Sequence, residues 1–316
     1  MKDIKNIPIK NDNVRLDRYI RKIFPNLRQS IIEKSLRKKL IKVDGHKAKS
    51  NNRVSSQQTI TIKHPNYIIN NNLEYKHKEK LLNLLRNNIL YEDEYILAIN
   101  KPAGIIVQGG TKTKTSINDL LDQIKDGETF KIVHRLDKDT SGAIIFARNT
   151  NVAKYLMQEF KAHRIKKIYL ALTSGIPKKN KGIIERPLIK KYISGQEKVI
   201  VDVNSSKNAT THFSIIAKLK HDVAYLKLQP ITGRTHQLRA HLAYIKCPIL
   251  GDGKYGGKKA FINGIINKIH LHSHSLSLKL PNGKINTILA ILPEHFKNSL
   301  KMLPPIFKYI PSFYQE

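Results

Sequence analysis

Apolar and polar residues follow two rhythms along this chain. Between residues 14 and 63, Leu16, Tyr19, Ile20 and Ile23 recur at helical spacing, and Pro25 ends that pattern. Ile31, Ile32, Leu36 and Leu40 then form a second apolar stripe, with Lys34, Arg37, Lys38 and Lys39 on its other face. Ser30 followed by Glu33 has the form of a capping box and predicts where this second helix starts. Residues 41–45 and 59–62 read as short strands, so the segment predicts a compact α/β unit.

From about residue 88 the rhythm shortens. Apolar runs at 89–91, 96–99, 132–133, 143–147, 168–172, 199–203, 211–217, 223–228, 271–280 and 287–292 read as strands. Helical spacing holds only at 116–125, 151–162 and 235–245. Many strands, few helices and no regular alternation predict an α+β domain around a mixed, mostly antiparallel sheet. Residues 64–80, with Asn70-Asn71-Asn72 and interspersed Lys and Glu, read as a linker. The expected organisation is a small α/β domain at 1–70 with its core at 14–63, a linker at 71–87, and a larger domain at 88–316.

Charge narrows the partners. The 316 residues carry 57 Lys and Arg against 24 Asp and Glu, a net charge of +33. Such an excess attracts polyanions, either nucleic acid or an anionic membrane surface. Compositional drift toward Lys, Asn and Ile explains many lysines but not so few acids, which favours nucleic acid. Residues 1–70 alone hold 17 Lys and Arg against 5 Asp and Glu. There Arg28, Arg37 and Lys38 crowd one helix and are candidate phosphate contacts; the alternative is a soluble helix with a lysine-rich outer face. No run of about 18 apolar residues predicts a membrane span, and the N-terminus lacks a signal-peptide pattern. A single cysteine, Cys247, fits a reducing cytoplasm, and neither CxxC nor HExxH occurs.

Four segments look unlike scaffold. His134-Arg135-Leu136-Asp137-Lys138-Asp139-Thr140-Ser141-Gly142 lies between the apolar runs at 132–133 and 143–147, a polar loop held by two strands. Its plain alternative is a surface turn in which Asp137 pairs with Arg135. In Lys167-Ile168-Tyr169-Leu170-Ala171-Leu172, Tyr169 alternates with apolar residues and points inward, as a site residue or an ordinary core tyrosine. In the segment from Gly233 to His241, Thr235 is a candidate cap, and Arg234 at a strand-to-helix junction is free to hold a carboxylate or phosphate. The glycine-punctuated loop 248–256 matches no nucleotide-binding fingerprint. His270, His272 and His274 alternate on one strand, but no fourth ligand has an obvious place, so no metal is expected.

Together these segments resemble the RluA-type RNA pseudouridine synthases, over about residues 90–292. Asn100-Lys101-Pro102-Ala103-Gly104 is similar to that family's opening motif, while Gln108 departs from it, since relatives usually carry histidine there. Residues 14–63 resemble the small RNA-binding module named after ribosomal protein S-four. The resemblance implies isomerisation of uridine to pseudouridine in RNA, with 23S ribosomal RNA or a large-subunit precursor as partner, no cofactor, no small-molecule cosubstrate and no membrane partner. It implies that Asp137 acts as nucleophile or base, that Arg234 pairs with it, and that Tyr169 stacks on a flipped uracil. Arg135 then fills the gap left by that base or holds the backbone. A monomer is expected. Other readings are the same chemistry on another rRNA or tRNA uridine, a non-catalytic rRNA-binding assembly factor, or another RNA-modifying enzyme. The missing glycine-rich cofactor loop and zinc triad weigh against the last.

Overall fold

The computed structural model describes residues 4–25, 27–109, 115–125, 128–193 and 195–308, so the outer limits of the expected domains, 1 and 316, lie outside them. The chain divides into two compact units, Met1–Asn83 and Leu84–Glu316.

In the first unit, β1 (Ile4–Pro8), β5 (Thr59–Lys63) and β3 (Ile41–Val43) form a sheet in the order β1-β5-β3, and β2 (Val14–Arg15) pairs with β4 (Arg53–Val54). Helices α1 (Leu16–Ile23) and α2 (Gln29–Arg37) bury Leu16, Ile20, Ile32 and Leu36 with Ile41 and Ile60 in one core. The helical spacing read from the sequence is therefore the buried face. The capping box does not form. Arg28 occupies the cap position of α2, without a side-chain cap, and Ser30 lies in the first turn. The Gln29 amide instead donates to Asp17 (3.1 Å) and Glu33 (2.9 Å), which turns Glu33 away from Ser30.

The expected linker is helical: α3 runs from Pro65 to Arg86. Pro65 suits a helix start, and Ile68, Leu81 and Leu85 are buried along it. Burial of such a stripe stabilises a helix more than three asparagines of poor propensity destabilise it.

In the second unit, eleven strands among the described residues form one sheet. Its main path runs β11 (Lys181–Glu185), β14 (Thr210–Leu219), β15 (Val223–Pro230), β10 (Lys166–Ser174), β16 (Leu271–Lys279), β9 (Ser141–Ala147), β7 (Ile96–Lys101), β6 (Ile89–Glu92). Strands β8 (Lys131–Ile132), β17 (Ile285–Leu289) and β18 (Pro305–Lys308) pair with β9, β16 and β14. The β9–β16 ladder is parallel and the other ladders are antiparallel, giving the mixed, mostly antiparallel α+β architecture expected. A separate ribbon joins β12 (Leu188–Ile193) to β13 (Gln196–Val201). Helices α5 (Thr150–Lys161) and α6 (Gln237–Tyr244) match the helical spacing, whereas 116–125 shrinks to one turn, α4 (Leu121–Ile124). There the Ser116 N–H and hydroxyl both donate to Asp119 at 2.8 Å, a local side-chain bond that competes with the helix. Two further helices, α7 (Gly253–Gly256) and α8 (Glu294–Met302), complete the unit.

Candidate active site

The loop 133–140 joins β8 to β9 and is fixed mainly through its backbone. Lys101, at the end of β7, is fully buried, and its ammonium donates to the carbonyls of Pro102 (3.0 Å), Ile105 (2.8 Å) and Lys138 (2.9 Å). Burial pulls this amine down to about 7, against the pull of Asp139 and Asp137. The Gly104 N–H also donates to the Lys138 carbonyl (2.9 Å), and the Thr140 N–H to that of Asp137 (3.2 Å). At the loop's far end, Gly142 has φ +113°, and a side chain there would run into the backbone of Ser273 across the parallel ladder. Glycine is what lets β9 approach β16 so closely.

His134 shapes the loop from below. Its Nε2 accepts the Ile145 N–H at 3.0 Å, its ring stacks on Phe160, and burial pushes it down to about 3, so it is neutral. Leu136 is buried beside it. Arg135 is exposed, and the Asp137 carboxylate is half-buried and lines a cleft.

That cleft, about 530 Å³, brings together all four candidates: Arg135, Asp137, Tyr169 and Arg234. Tyr169 comes from β10, and burial, ahead of the charge on Asp137, pushes its hydroxyl up to about 12, so it stays protonated. Lys161 and Lys167 add positive charge to the walls. Asp137 also borders a second cleft of about 610 Å³, with Lys138, Lys254 and Lys268 on its walls.

The structure does not pair Arg234 with Asp137. Arg234 is exposed, and its Nε donates to the Asn208 carbonyl (3.3 Å). The arginine beside Asp137 is Arg239, whose Nη1 lies 3.8 Å from Asp137 Oδ2. Arg239 is buried and held bidentately by Asp252, Nε to Oδ2 at 2.7 Å and Nη2 to Oδ1 at 2.8 Å, with its guanidinium over the ring of Tyr255. His236 is also near, with Nε2 3.9 Å from Asp137 Oδ2. The reason is where α6 begins. His236, not Thr235, holds the cap position, so His236 and Arg239 stand three residues apart on one helical face while Arg234 stays outside the helix. Gln237 makes the local closure, its Oε1 accepting the Arg234 N–H (3.0 Å) and the Thr232 hydroxyl (2.7 Å). Sequence reasoning does not single out Arg239, His236, Asp252 or Tyr255. The three-residue spacing of His236 and Arg239 is the available signal.

The three alternating histidines are structural. His270 bonds the Ser299 hydroxyl (2.8 Å), His272 bonds Ser141 (2.9 Å) and the Ala290 carbonyl (3.2 Å), and His274 also bonds Ala290. Among the described residues no group of three His, Cys, Asp or Glu is placed to hold a metal.

In the first unit, Arg37 and Lys38 are exposed on α2. Arg28 is half-buried and paired with Glu79 on α3, so it differs from the freely exposed cation expected. No described helix is long and apolar enough to cross a membrane.

Residues 95–244 match the family model described as RNA pseudouridylate synthase. A curated relative from Rickettsia typhi, named ribosomal large subunit pseudouridine synthase C, is 36% identical over 299 residues, covering 90% of this chain and 96% of that one. Its counterpart from Buchnera aphidicola subsp. Baizongia pistaciae, with the same name, is 33% identical and covers 94% of this chain and 96% of its own. Among solved structures, human RNA pseudouridylate synthase domain containing 4 aligns with a TM-score of 0.61 and 27% identity, over 73% of this chain and 98% of that one. Human RNA pseudouridylate synthase domain containing 1 aligns with a TM-score of 0.60 and 25% identity, over 72% of this chain and 91% of that one.

Proposed function

This chain belongs to the RNA pseudouridylate synthase family, and on that premise we propose that its substrate is large-subunit (23S) ribosomal RNA and that Asp137 is its reacting carboxylate. The observation that carries the reading is one carboxylate in a cleft lined by several cations and an aromatic residue, with a fixed guanidinium 3.8 Å away. Isomerisation breaks the bond between ribose C1′ and uracil N1 and rejoins C1′ to uracil C5; C5 gives up its proton and N1 takes one up, so the step balances without a group donor. Asp137 serves as nucleophile or base, with the Arg239 guanidinium 3.8 Å away and kept in place by Asp252. Reaching the target atom requires the base to leave its stack, and Tyr169 offers a ring for it to stack on while Arg135 at the cleft edge takes the vacated space or a phosphate. Arg234, Lys161 and Lys167 favour the RNA backbone passing over the cleft mouth.

The first unit is proposed to be an S-four-like RNA-binding domain that adds affinity through the outer face of α2. The names and coverage of the curated relatives support the large-subunit target. The test is to map pseudouridines in ribosomal RNA from cells carrying this protein, cells lacking it, and cells carrying Asp137→Asn. Specific sites in 23S RNA are expected to vanish in the last two. An unchanged map would overturn the reading.

A further inference from the structure

Tyr255 touches two groups that lie near Asp137, His236 and Arg239. Its hydroxyl lies 2.9 Å from His236 Nδ1, and its ring lies edge-on to the imidazole (centroids 5.7 Å apart, 86° between planes) and under the Arg239 guanidinium at 4.9 Å. The backbone N–H of Val199, on β13, donates to the same hydroxyl at 3.1 Å. The start of α7 holds Tyr255 in place, the Asp252 carboxylate accepting its backbone N–H at 3.3 Å.

We propose that Tyr255 is a positioning residue that fixes His236 in the tautomer carrying its proton on Nε2, so that an N–H faces Asp137. A hydroxyl has one hydrogen to give and two lone pairs to receive. Val199 fills one lone pair. The acceptor within reach of the hydrogen, among the described contacts, is His236 Nδ1. Burial pushes the phenol up to about 12, so it keeps that hydrogen. Burial also pulls His236 below its ordinary range, Asp137 opposing, so the ring is neutral and has one proton to place. With Nδ1 accepting, that proton lies on Nε2. The opposite tautomer would set a nitrogen lone pair against Asp137 Oδ2 at 3.9 Å. His236 itself sits in the left-handed region, φ +50° and ψ +20°, a conformation a residue with a side chain adopts at a cost and that aims this ring into the cleft. Through Val199, the seating of the β12–β13 ribbon is tied to the same hydroxyl.

This inference rests on Asp137 being the reacting group. In full-length protein labelled with ¹⁵N in the histidine rings, long-range ¹H–¹⁵N spectra read the tautomer directly. Wild type is expected to show His236 protonated at Nε2 and bare at Nδ1. Tyr255→Phe is expected to lose that preference and to lower kcat about five- to tenfold, the worth of one hydrogen bond, with KM for RNA unchanged. In a His236→Gln background no tautomer remains to be set, so Tyr255→Phe should cost little more. Wild-type His236 protonated at Nδ1, an unchanged kcat in Tyr255→Phe, or an additive double variant would overturn the inference. Wild-type protein that makes no pseudouridine would count instead against the proposed function and leave the tautomer measurement standing.

Discussion

In the unit ending at Asn83, the cations of α2 stand in solvent, whereas in the unit beginning at Leu84 three of the charges in the surroundings of Asp137 are buried. Lys101 is 0%, Asp252 1% and Arg239 7% exposed. Charges in water act through a screened field that salt erodes, and each contributes a small, nearly independent share. Buried charges are directional, and each depends on its neighbours. On the proposed reading, the first unit attracts a polyanion through exposed cations and the second holds one carboxylate in one place.

The sharpest break of this comparison is Asp137→Asn, which keeps the shape of the side chain and removes its charge. Pseudouridine formation should be abolished while RNA affinity stays within about twofold, since affinity comes from neutralised phosphates. Substantial turnover by this variant, measured on ribosomal RNA, would sink the role of Asp137.

Acid should disturb the second unit far more than the first. His134 is pushed down to about 3, and His270 and His272 to about 4, each by burial first, against 6.5 for a free imidazole. As pH falls from 6.5 to about 4, the unfolded chain takes up protons that the folded chain refuses, so stability is lost across that window. Each histidine contributes about 1 kcal/mol per pH unit there. Denaturant midpoints recorded at a series of pH values should fall accordingly, and a flat profile would mean these imidazoles are not held neutral.

Arg239 and Arg234 separate the two kinds of charge inside one motif. Losing the bidentate, charge-assisted bonds to Asp252 that hold the guanidinium 3.8 Å from Asp137 costs roughly 1.5–3 kcal/mol, so Arg239→Lys should lower kcat by about ten- to a hundredfold. Arg234→Ala should act mainly on KM, a few-fold, because its guanidinium is exposed at the cleft edge. Steady-state kinetics of the pair decide this, and a larger kcat loss for Arg234→Ala would restore it as the partner.

The smallest effect belongs to α2. Changing Arg37 and Lys38 together to Ala should weaken RNA binding and flatten its salt dependence by about 0.7–0.9 for each phosphate no longer neutralised, with turnover at saturating RNA intact. Binding isotherms at several salt concentrations give the slope, and an unchanged slope would make these charges a solubility feature.

Most of the second unit is legible in the sequence because its strands are continuous apolar runs, and the four cleft candidates lie in segments whose polar residues interrupt such runs. The arginine beside Asp137 is not legible. Arg234 precedes α6 and Arg239 lies inside it, and the choice between them turns on a helix start one residue beyond Thr235. The same limit applies at Ser30, displaced from its cap by bonds of Gln29 with distant Asp17. Residues 65–86 resemble a linker because composition weighs Asn70-Asn71-Asn72 equally with Ile68, Leu81 and Leu85, while burial does not.

The Asp137 loop is held by main-chain groups: the Lys138 carbonyl receives Lys101 and Gly104, and the Asp137 carbonyl receives Thr140. Such bonds do not depend on the side chains at 135, 138 and 139, which are exposed. Of these, Lys138 contributes its carbonyl alone to the scaffold, whereas Asp139 also favours the charge on Lys101 and Arg135 lines the cleft. The frame that carries the carboxylate is thus indifferent to the side chain at 138, so Lys138 is the loop position at which variation should leave Asp137 in place.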